Sequence, residues 1–81
     1  MMAPGGDRLE EAADRKGRRW RVGEALKGRP GVEVALIRKI GNFVQVDFRA
    51  VASARVPVIP PALVMHAGDL AVMRAASGSG E

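Results

Sequence analysis

Apolar and polar residues alternate most regularly in two neighbouring stretches of this chain. Val32, Val34 and Leu36 alternate with Glu33, Ala35 and Ile37; after Gly41-Asn42, Val44, Val46 and Phe48 alternate with Phe43, Gln45, Asp47 and Arg49. A period of two is that of a half-buried strand, so the pattern predicts a β-hairpin. Loop length then sets the register. A two-residue Gly41-Asn42 turn would pair Lys39 with Val44 and Leu36 with Asp47, throwing the two apolar rows onto opposite faces. A three-residue Ile40-Gly41-Asn42 loop pairs Leu36 with Val46 and Val34 with Phe48, makes one apolar face, and is the arrangement expected. It also sets Glu33 opposite Arg49, an opposite-charge pair, and Lys39 opposite Phe43 on the outer face.

The flanks are less regular. From Asp7 the chain offers a capping residue, Glu10 three positions on, and Leu9, Ala12 and Ala13 on one helical face, which predicts a marginal N-terminal helix ending at Gly17. Trp20 and Val22 alternate as in a strand, favouring a strand over residues 19–22, and Gly28-Arg29-Pro30-Gly31 reads as a turn. Residues 55–59 read as an edge strand, because Pro57 cannot donate to a central ladder. Ala62-Leu63-Val64-Met65 suits one helical turn, and Ala67-Gly68-Asp69 turns the chain into a last strand over residues 70–74. The expected fold is all-β. Four to five short strands form a small barrel or rolled sheet over residues 19–74, preceded by a flexible acidic and basic segment, residues 1–18, and followed by a disordered Ser/Gly tail, residues 75–81. Closure matters at this size, since it removes edges that would otherwise pair between molecules.

Composition narrows the chemistry. Eighty-one residues make one small domain at most; there is no cysteine to staple it, and His66 is the lone histidine, so neither a disulfide nor a metal is expected, nor any cofactor. There is no run of 18 apolar residues and no basic start followed by an apolar stretch, so the expected location is cytoplasmic, with no membrane partner. His66 and Ser53 have no partners at a catalytic spacing, and an enzyme is not expected.

Charge supplies the functional clue. The net charge is +4, but residues 1–14 carry −3, residues 15–55 carry +8 and residues 56–81 carry −1. Seven of the fifteen residues 15–29 are basic, and they surround the only tryptophan, Trp20. Guanidinium groups take phosphates in bidentate contacts while a flat base can stack on an aromatic ring. The candidate nucleic-acid-binding residues are therefore Arg18, Arg19, Trp20, Arg21, Lys27 and Arg29, with Lys39, Phe43 and Arg49 extending the footprint across the hairpin.

Two segments resemble known families. Lys27-Gly28-Arg29-Pro30-Gly31-Val32, entering the hairpin, resembles the Lys-Gly-Arg-x-Gly-Val segment of the small archaeal chromatin proteins with an SH3-like barrel, which implies backbone contacts for Lys27 and Arg29 and a sheet face laid on the duplex. Residues 42–73, with Val46-Asp47-Phe48, Arg55-Val56 and Gly68-Asp69-Leu70, look like small OB-type barrels, among them a small-subunit ribosomal family and a hydrogenase-maturation chaperone family. Met2 stands where that chaperone has its cysteine, so its chemistry is not implied. The expected function is sequence-nonspecific binding of DNA or RNA through a basic strand-and-loop face. The alternative is a protein-interaction module, or a subunit of a larger assembly such as a ribosome, docking through the edge strand at residues 55–59.

Overall fold

The alternating stretches do form the central hairpin. In a computed structural model, which describes residues 7–52, 55 and 58–76, they are strands β3 (Val32–Ile40) and β4 (Phe43–Ala50). The register differs from the expected one near the turn. Ile40 stands opposite Phe43, Lys39 opposite Val44, Ile37 opposite Val46 and Leu36 opposite Asp47, as a two-residue Gly41-Asn42 turn dictates, with Gly41 at φ +60°. Farther along, Val34 stands opposite Phe48 and Glu33 opposite Arg49. The change of step falls at Ala35, an extra residue on β3 that forms a β-bulge. The bulge reverses the phase of β3, so Val32 and Val34 face inward before it and Ile37 after it, all buried with Val44 and Val46. One apolar face is thus preserved despite the short turn. Leu36 is on the outer face, and Lys39 and Phe43 lie on opposite faces of the sheet rather than side by side.

The N-terminal helix is not formed. Residues Asp7–Asp14 are strand β1, which lies at the centre of the sheet rather than loosely beside it. One edge of β1 pairs with β3 through residues 7–9 and with strand β2 (Arg19–Arg21) through residues 11–13, and the other edge pairs with strand β6 (Leu70–Ala75). The helical-looking spacing of Leu9 and Ala12 has the same origin as the phase change in β3. Glu10 is an extra residue against β6, so Leu9 and Ala12, three apart, both reach the core. A lone short helix is marginal in water, whereas β1 gains ladder bonds on two edges.

The chain leaves β2 to cross onto β3. The Gly23 N–H donates to the Val34 carbonyl, the Val34 N–H to the Glu24 carbonyl and the Leu26 N–H to the Val32 carbonyl, at 2.8, 3.0 and 2.8 Å. β4 then pairs with strand β5 (Leu63–His66), where a helical turn was expected. A single 3₁₀ turn, Ala67–Asp69, leads into β6; the Ala67 N–H donates to the Asn42 carbonyl at 2.8 Å, and the Gly68 N–H to His66 Nδ1 at 3.0 Å. The edge strand expected over residues 55–59 is absent at residues 55, 58 and 59, and residues 56 and 57 lie outside the described ones. The disordered tail was expected over residues 75–81, but Ala75 belongs to β6, and residues 77–81 lie outside the described ones.

The result is a mostly β protein, an antiparallel sheet curled into a half-barrel. Its core joins Leu9, Ala12, Trp20, Val34, Ile37, Val44, Val46 and Leu70, with Leu26, Phe48, Leu63 and Met65 packed at the margin. Among the described residues no helix is long and apolar enough to cross a membrane.

Candidate nucleic-acid interface

The basic block is organised by the turn between β1 and β2. Asp14 Oδ1 accepts from the backbone N–H groups of Lys16 and Arg18, both at 2.9 Å, and Oδ2 accepts from Arg18 Nε at 2.7 Å. Gly17 takes φ +94° within this turn, a conformation that costs glycine nothing. Burial opposes ionisation of Asp14, but the hydrogen bonds from Arg18 and from the Lys16 and Arg18 N–H groups, with the Arg18 charge, outweigh it and hold the carboxyl below its ordinary range. Four consecutive cationic or glycine positions are therefore presented by a turn fixed from within.

Between this turn, the crossing segment and residues 60–63 runs a groove of about 750 Å³. Its apolar lining includes Trp20, Leu26, Val34, Phe48 and Leu63, and Pro60 and Pro61 form part of its far wall. Arg18, Arg19, Arg21, Lys27 and Arg29 line it as well, so the structure brings six of the nine candidate residues to one place. Pro60, Pro61 and Leu63 carry no local signal of this role; only the pairing of β5 with β4 puts them there.

The cations are not equivalent. Arg19 Nε lies 2.9 Å from Glu11 Oε2, and Arg74 Nη2 lies 3.6 Å from Glu11 Oε1, so a carboxylate only 4% exposed is held between two guanidinium groups. Arg18 is paired with Asp14, and Arg21 with Glu24 at 3.4 Å. Lys27 and Arg29 are exposed and have no acidic partner among the described residues. They are the groove cations most available to an incoming anion.

Trp20 belongs to the core. It is 6% exposed, and the Arg18 guanidinium carbon lies 5.4 Å from its ring centroid, a cation–π contact that covers it. Its indole is groove floor and not an open face for a base. The remaining three candidates lie away from the groove. Arg49 is tied to Glu33 at 2.6 Å, Lys39 Nζ donates to the Gly41 carbonyl at 2.9 Å, and Phe43 is half exposed on the outer sheet face, edge-on to His66 with centroids 5.4 Å apart. The single footprint expected from the sequence is thus split between the groove and the outer sheet face, which holds Phe43 and Arg49, with Lys39 on the opposite face from them. A scan against family models and searches of curated proteins and of solved structures return no match to this chain.

Proposed function

We propose that this protein binds nucleic acid without reading sequence, on a small barrel of the OB/SH3-like kind. The observation that carries this reading is the groove in which Lys27 and Arg29, free of acidic partners among the described residues, stand over an apolar floor of Leu26, Phe48 and Leu63. Cations at the rim suit phosphates, and an apolar cleft suits the flat faces of bases, which every nucleotide has. Arg18 joins them at the turn, keeping a largely exposed guanidinium although paired with Asp14. Arg19 and Arg21 are anchored by Glu11 and Glu24 and contribute field more than direct contact.

The test is an electrophoretic shift or anisotropy titration with duplex DNA, single-stranded DNA and RNA at two salt concentrations. Direct contacts from Lys27, Arg29 and Arg18 to three phosphates give a slope of log affinity on log salt of about −2.7 on duplex. Lys27→Ala with Arg29→Ala should flatten it by about 2 units on duplex or about 1.4 on a single strand, irrespective of base sequence. Unchanged affinity in that double variant, with an unchanged circular dichroism spectrum, removes the groove as the binding site.

A further inference from the structure

The outer face of the sheet carries a second constellation. Strand pairing puts Arg8 of β1 directly opposite Arg38 of β3, Arg38 opposite Gln45 of β4, and Gln45 opposite Val64 of β5. The adjacent row on the same face runs Ile40, Phe43, His66. Two arginines side by side repel each other, and such pairs are disfavoured in sheets unless something lies between them. Five other arginines of this chain, Arg18, Arg19, Arg21, Arg49 and Arg74, are in ion pairs. Neither Arg8 nor Arg38 has one among the described residues. The nearest acid along β4, Asp47, accepts instead from the Gln45 amide at 2.9 Å. Arg38 Nε is buried and has no acceptor among the described residues.

Beside these cations the aromatic row is open. Phe43 is 50% exposed, its ring in T-shaped contact with His66, and Ile40 and Val64 are exposed around it. Strands lie about 4.8 Å apart and same-face neighbours along a strand about 7 Å apart, so Arg38 and Phe43 are roughly 8 Å apart between backbones. That is of the order of the span from a phosphate to the base of one nucleotide.

We infer that the outer sheet face is a second binding surface for single-stranded nucleic acid, with a phosphate between Arg8 and Arg38 and a base stacked on Phe43. This rests on the reading that the protein binds nucleic acid, and it adds a surface on the opposite side of the sheet from the core. Duplex DNA keeps its bases stacked inside and cannot use the Phe43 ring, so this surface favours single strands.

Amide chemical-shift mapping of the full chain tests it, with a six-nucleotide oligothymidylate and, separately, inorganic phosphate as probes. The oligonucleotide should shift residues 8, 38, 43, 45 and 66 as well as the groove. Arg8→Met with Arg38→Met should abolish the outer-face shifts, leave the groove shifts in place and flatten the salt slope by about 0.7. Phe43→Leu should weaken oligonucleotide binding at this face by about 5- to 150-fold without altering the response to phosphate. Should the double variant not fold, Arg8→Met alone, at an exposed position, carries the test. Shifts confined to the groove overturn the second surface and leave the groove reading standing. Shifts at neither place, with any probe, overturn both. Shifts at Arg8 and Arg38 with phosphate but not with the oligonucleotide mark a free-anion site and overturn the nucleotide platform.

Discussion

Arg49 Nε donates to Glu33 Oε2 at 2.6 Å, although the two-residue turn between their strands would by itself set Arg49 opposite Val34. Ala35 makes the difference. Standing outside the ladder, it moves everything from Val34 backwards by one position, restoring the cross-strand charge pair and keeping Val32, Val34 and Ile37 on one face.

The bulge makes Ile37, and not Leu36, the core residue of its stretch. Ile37 is fully buried while Leu36 is half-buried on the outer face. Ile37→Ala should cost about 2–5 kcal/mol and Leu36→Ala about 1 kcal/mol or less, measured by urea denaturation. Equal losses would mean that strand β3 runs in simple alternation.

Val46 and Gln45 divide the two faces of β4. Val46 is fully buried, and Val46→Asp places an unpaired carboxylate in the core, which should unfold the domain. Gln45→Asp, on the outer face beside Arg38, should leave the melting temperature within a few degrees of the parent. Thermal melts followed by circular dichroism separate the two.

Glu11 should depend on both of its guanidinium partners. Arg19→Ala or Arg74→Ala leaves one of them, whereas the double variant strands a buried carboxylate and should cost about 3–5 kcal/mol. A double-variant cost no larger than the bigger single one, in chemical denaturation, would show that one arginine is idle. For the same reason, replacing the central arginines of the basic block tests stability together with binding, and Lys27 and Arg29 give the cleaner binding probe.

Acid should loosen the β1–β2 turn through Asp14. Its folded-state carboxyl titrates below the unfolded one, so the unfolded chain binds the proton more readily and stability rises with pH across that interval. The contribution is complete above the unfolded value, about 3.9, and is lost as pH falls through the lower folded one. Asp14→Asn should remove this part of the acid slope while retaining an acceptor for the Lys16 and Arg18 N–H groups. An unchanged pH–stability profile in the Asn variant would refute the assignment.

The sequence by itself determined the all-β character, the central hairpin, the final strand after Gly68-Asp69 and the short strand through Trp20, because each rests on contacts among near neighbours and a period of two. It also determined where positive charge concentrates. Tertiary structure decided the rest, and at β1 and β3 by one device. A bulged strand brings residues three apart to the same face, as Leu9 and Ala12 or Val34 and Ile37 are brought, and three is also a helical spacing. Local pattern cannot tell these apart; the ladder partners do, and they are distant in sequence. β1 became central only because β3 and β6, some thirty and sixty residues onward, pair with its two edges. The same long-range pairing built the groove wall from Pro60, Pro61 and Leu63, set Arg74 against Glu11, and brought Arg8 beside Arg38, a neighbour that no window along the chain contains.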